Sequence, residues 1–154
     1  MSSERAQKAK KYFESGYNCS QAVACAFADV TGMSEETAAR LVSGFGGGMG
    51  RLREVCGAFS GIVFVLSCLY GEGVPAAVQS KAVLYKRVQE CACEFKNQNG
   101  SLVCRELLGL SKKTKQSCEP EERSKEYYKK RPCSEIVEIA ADILDNYIKN
   151  NKIQ

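Results

Sequence analysis

The segment Cys56–Tyr70, CGAFSGIVFVLSCLY, sets the terms on which this chain can fold. Its pattern predicts a helix closed by Gly71 and Gly73, with apolar residues on every side rather than along one stripe. Such a helix must be covered all round. Its longest apolar stretch, Ile62 to Leu69, is far short of the ~20 residues that cross a bilayer, so no membrane span is expected. The cover has to come from the rest of the chain.

The remaining segments read as that cover. A first helix is expected from Glu4 to Ser15, with Ala6, Ala9, Tyr12 and Phe13 on one side and Gly16 as its stop. Asn18 caps a second, carrying Ala22, Val23, Ala26, Phe27 and Val30 and ended by Gly32. Ser34 opens a third, which ends near Gly44; Glu35 and Glu36 suit the positive end of its dipole. After the apolar helix, Pro75 begins one that runs to about Asn97. Ser101 caps a short helix over Leu102–Leu108, and a last one spans Ser134–Lys149. Ser111 to Arg131 is charged and reads as an excursion or a helical insert. No strand alternation competes with these patterns. The expectation is one all-α domain over residues 1–154, a compact bundle of six or seven helices around the central apolar helix.

With 154 residues, the chain can bury a core without disulfides. A net charge of +4, with acids and bases interspersed, gives no basic stripe, so nucleic acid is not an expected partner. The opening MSSERAQKAKKYFES lacks an apolar core of the secretory type, which predicts a cytoplasmic protein.

Chemistry is concentrated in sulfur. The sequence has nine cysteines and no histidine. In a reducing compartment, such a count points to redox work or metal ligation. Cys19, Cys56, Cys104 and Cys133 each fall at an expected helix start. Free N–H groups and the helix dipole there favour a thiolate, the form that attacks disulfides and binds metals. Cys56 is the expected nucleophile, with Arg51 or Arg53 steadying its charge. Cys25 and Cys68 read as core residues. Cys91 and Cys93, two apart on a helix, point in opposite directions, and Cys118 reads as an incidental exposed thiol.

The glycine run GFGGGMG satisfies neither the phosphate-binding loop nor the dinucleotide pattern. It reads as a sharp turn with positive φ that brings backbone close to Cys56. Gly57 and Gly61, spaced i, i+4, make a flat face for another helix; with Arg51 they are also candidates to border a bound group.

GYNCSQAV, GFGGGMGR, CGAFSG, GSLVCRELLG and CSEIVEIAADIL, in this order, resemble the C_GCAxxG_C_C family of proteins described as redox-active. The resemblance implies a small helical protein whose signature cysteines are Cys19, Cys56, Cys104 and Cys133, and whose genes often accompany transporters. Three functions stay open at this point. The first is thiol–disulfide or electron-transfer chemistry with a redox partner, as a thiol-dependent oxidoreductase. The second is zinc or iron–sulfur binding by the same four cysteines. The third is a non-enzymatic, transporter-associated adaptor.

Overall fold

The structure, a computed structural model, describes residues 1–152. It is all-α: 67% helical, with nine helices among the described residues, six of them of seven residues or more. They are α1 (Glu4–Glu14), α2 (Cys19–Ala26), α3 (Ala28–Thr31), α4 (Glu35–Val42), α5 (Gly57–Tyr70), α6 (Val78–Asn99), α7 (Cys104–Leu107), α8 (Lys125–Lys130) and α9 (Cys133–Asn150).

Local chemistry sets the boundaries. The Ser3 hydroxyl accepts from the Ala6 N–H, and the Ser34 hydroxyl from the Thr37 N–H. Asn18 and Gln21 form a reciprocal capping box at the head of α2. Gly32 (φ 72°) and Gly100 (φ 93°) end α3 and α6 in the left-handed region.

Helices α1, α2, α5, α6 and α9 pack on one core that includes Phe13, Val23, Phe27, Ile62, Leu66, Phe95, Val137 and Leu144. The closest helix–helix approach is made by glycine. A Cβ on Gly61 would lie 2.8 Å from Val23 Cβ of α2, so α5 can lie against α2 only with that position bare. Helix α5 is buried from Gly57 to Ile62 and again at Val65 and Leu66, then surfaces. Cys68 is therefore exposed, not a core residue as its apolar neighbours suggested, because α5 outruns the helices that cover it. Cys25 is buried, and Cys91 and Cys93 divide into one buried and one exposed thiol.

The expected second helix breaks at Phe27 (φ −116°, ψ 13°) into α2 and α3, and the helix expected from Pro75 begins at Val78. Two further segments depart from the sequence reading. The expected helix over Leu102–Leu108 begins only at Cys104. An antiparallel bridge between Val55 and Val103 holds the chain extended just before it, and the Ser101 hydroxyl accepts from the Val103 N–H at 3.0 Å. The charged stretch after Ser111 forms a strap whose one helix is α8. The strap is tied down at intervals. Arg51 Nε donates to Ser117 O and Arg53 Nε to Gln116 Oε1, both at 2.9 Å. Arg123 donates to the carbonyls of Phe13 and Tyr17 and stacks its guanidinium over the Phe13 ring, 4.4 Å from the centroid.

Candidate functional site

Four thiols stand at helix heads. Cys19 is the first residue of α2, Cys104 of α7 and Cys133 of α9, and Cys56 is the cap residue before α5. All four border one cleft of about 260 Å³. Cys56 and Cys104 are buried; Cys19 and Cys133 are half-buried.

Backbone pairing holds two of them side by side. The Cys56 N–H donates to Leu102 O at 2.8 Å and the Cys104 N–H to Glu54 O at 2.6 Å, on either side of the Val55–Val103 bridge. The glycine run closes over this pair. Gly47, Gly48, Met49, Gly50, Arg51 and Arg53 all have φ between 56° and 69°. Left-handed backbone costs a residue with a side chain about 1–2 kcal/mol, and Met49, Arg51 and Arg53 bear that cost here. A Cβ on Gly48 would lie 2.6 Å from Cys104 Cβ and 2.8 Å from Glu54 N, so the turn needs bare backbone where it meets Cys104 and Glu54. A Cβ on Gly57 would lie 3.2 Å from Cys19 Cβ, which explains how α2 and α5 bring Cys19 near Cys56. Gly57 and Arg51 border the cleft, whereas Gly61 lies outside its lining and serves the contact with α2.

The electrostatics differ from the sequence expectation. Burial pushes the Cys56 thiol up to about 12, outweighing the lowering influence of the Ala58 and Phe59 N–H groups, and the sulfur makes no capping hydrogen bond to α5. The helix-end effect is present at Cys56 but loses to desolvation. Burial also raises Cys104, against the opposing pull of Arg53, whose Nη1 lies 3.6 Å from Cys104 Sγ. Helix α7 cannot help much: it has four residues, and the N–H groups of Cys104 and Arg105 are spent on Glu54 O and Arg53 O.

Cys133 alone of the four is lowered. A hydrogen bond from the Cys19 thiol favours its anion first, and the charges of Arg131, Arg123 and Arg53 add to this. Cys19 moves the opposite way, well up, because it supplies that hydrogen. The two thiols thus favour a single shared negative charge, placed on Cys133 by the guanidinium groups of Arg131, Arg123 and Arg53.

Arg123 and Arg131 are functional candidates that the sequence reading missed. Both come from the strap, which composition marked only as charged. The signal available was Arg131-Pro132-Cys133, a cation two positions ahead of a cysteine that opens a helix. Cys118 also borders the cleft.

Among the described residues, no group of three or more His, Cys, Asp or Glu side chains is disposed to hold one metal ion. Nor is any helix there long and apolar enough to cross a membrane.

Comparison with known proteins agrees with the sulfur pattern. No curated protein and no solved structure matches the chain. The family described as "Putative redox-active protein (C_GCAxxG_C_C)" matches residues 17–147. Its label spells G-C-A-x-x-G, and here the hexad is Cys56-Gly57-Ala58-Phe59-Ser60-Gly61, with the first two transposed. Glycine thus occupies the position where a Cβ would press on Cys19. On a match that takes in all four cleft cysteines, the chain belongs to the C_GCAxxG_C_C redox-active family.

Proposed function

We propose that the cleft carries out thiol–disulfide exchange, with Cys133 as the attacking thiolate and Cys19 as the resolving thiol. One observation carries this reading: Cys19 and Cys133 border the same cleft as Arg53, Arg123 and Arg131, whose charges favour the Cys133 anion. The Cys133 thiolate attacks one sulfur of a disulfide R–S–S–R. A new S–S bond forms, the old one breaks, and RS⁻ leaves. Cys19 then gives up its proton to the departing thiolate, and its sulfur attacks Cys133 Sγ. A Cys19–Cys133 disulfide forms and a second RS⁻ leaves. The sum is one oxidised protein pair, one RSH and one RS⁻. No histidine is needed, because the attacking sulfur is already an anion. Cys56 and Cys104, both buried and both raised, form the wall of the site rather than its nucleophile. Nine free thiols suit a reducing, cytoplasmic setting.

Peptide mapping after anaerobic treatment with one equivalent of hydroxyethyl disulfide tests the assignment. The expected product is a Cys19–Cys133 link with two thiols released per protein. A link between other cysteines, or none, overturns it. Cys19→Ser should stop at a mixed disulfide on Cys133.

A further inference from the structure

We propose that the substrate is a small disulfide bearing a carboxylate or other oxyanion, and that Arg51 and Arg53 bind that group while Cys133 attacks the sulfur bond. The proposal rests on the exchange reading above and names its substrate class.

Arg53 carries the argument. It is 6% exposed, yet among the described residues it forms no ion pair. Its protein partners are the Gln116 amide oxygen and the Cys104 sulfur. A guanidinium cannot shed its proton, and a buried charge without a counter-charge costs several kcal/mol. The site around it deepens the imbalance. Arg51, Arg53, Arg123 and Arg131 border the cleft, against Glu121 as its one carboxylate. Glu121 is already paired with Arg131. Arg123 is engaged by two carbonyls and by the Phe13 and Tyr127 rings. Arg51 commits Nε to Ser117 O, and among the described residues no protein acceptor takes its terminal nitrogens.

The chemistry sharpens the need. Reduced protein supplies one negative charge, the Cys133 thiolate. Once Cys133 is joined to a substrate sulfur, that charge has left with RS⁻, and the cations face an uncharged disulfide. An acidic group on the bound half of the substrate restores the balance for as long as the mixed disulfide lasts. The size of the cleft, about 260 Å³ beneath the strap, suits a small molecule rather than a folded protein.

Three symmetrical disulfides that differ in charge provide the test: dithiodipropionate (anionic), hydroxyethyl disulfide (neutral) and cystamine (cationic). The rate of Cys19–Cys133 linkage is measured for each at low ionic strength and divided by its rate with free mercaptoethanol, which removes intrinsic reactivity. The expected order is anionic, neutral, cationic, with steps of about 10-fold that shrink in about 1 M salt. Arg51→Gln and Arg53→Gln should each lower the anionic-to-neutral ratio about three-fold or more. That ratio is taken on one protein, so incomplete folding of a variant does not distort it. Equal normalised rates for the three disulfides overturn the anion site and leave the exchange reading standing. An unchanged ratio in both variants overturns the assignment to these arginines. No reaction with any of the three overturns both proposals.

Discussion

At the scale of single residues, the cleft shows that a helix start does not by itself activate a cysteine. The N–H groups of Ala58 and Phe59 favour the Cys56 anion, yet burial raises the thiol to about 12. Cys133 stands at the head of a longer helix and gains from Cys19 and from three arginines. Alkylation should read this contrast directly. With iodoacetamide at pH 7, Cys133 should react first, and Cys56 and Cys104 should stay unmodified until the protein unfolds. Arg131→Gln removes a favourable charge, so the midpoint of the Cys133 rate–pH profile should move to higher pH. An unmoved midpoint would remove Arg131 from the electrostatics of the site. The positions of the four thiols were legible in the sequence, because Asn18, Pro132 and the flanking glycines mark helix starts. Their ranking was not legible. Desolvation depends on what covers a sulfur, and the cover arrives from segments distant in the chain.

At the scale of elements, the glycine run is a left-handed turn, and its geometry separates two costs. Gly48 and Gly50 both have positive φ, at 69° and 56°. A Cβ on Gly48 collides with Cys104 and Glu54, whereas one on Gly50 meets nothing nearer than Gly44 O at 3.9 Å. Gly50→Ala should cost about 1–2 kcal/mol, from backbone alone. Gly48→Ala should cost about 3 kcal/mol, because crowding adds to it, and should disturb the Cys104 environment. Urea unfolding of the two variants checks the difference, and equal losses would contradict the close approach. Most helices were readable from caps and periodicity: α1, α4 and α9 fall within a residue or two of expectation. The left-handed φ of Met49, Arg51 and Arg53 was not, since nothing in those side chains favours it and the surrounding contacts impose it. The strap was equally opaque. Its composition resembles that of a solvated linker, and its order comes from arginine contacts made to partners far along the chain.

For the whole molecule, the buried thiols tie stability to alkaline pH. Burial raises Cys25 to about 11 and Cys56 and Cys91 to about 12 from an ordinary value of 9.0. Between pH 9 and those values the unfolded chain loses these protons and the folded one keeps them. Stability therefore falls as pH rises through that window, by about 1.4 kcal/mol per pH unit for each such thiol. Cys133, lowered when folded, acts oppositely: it adds stability as pH rises toward 9 and nothing further beyond. Urea midpoints should decline between pH 9 and 10.5. Cys91→Ala lies away from the cleft and should flatten that decline while leaving exchange chemistry in place; an equally steep decline would show that Cys91 does not keep its proton on folding.

Cys19 and Cys133 sit near opposite ends of the sequence but at the heads of two packed helices. Cross-linking ends that lie about 100 residues apart restricts the unfolded chain by about 4.7 kcal/mol. Under the proposed exchange, that chain-entropy share alone would move the reduction potential of the pair about 100 mV toward the reducing side. A donor that regenerated such a pair would work against this share and with the opposing pull of the arginines, which stabilise the reduced Cys133 anion, and loosening the fold would weaken both.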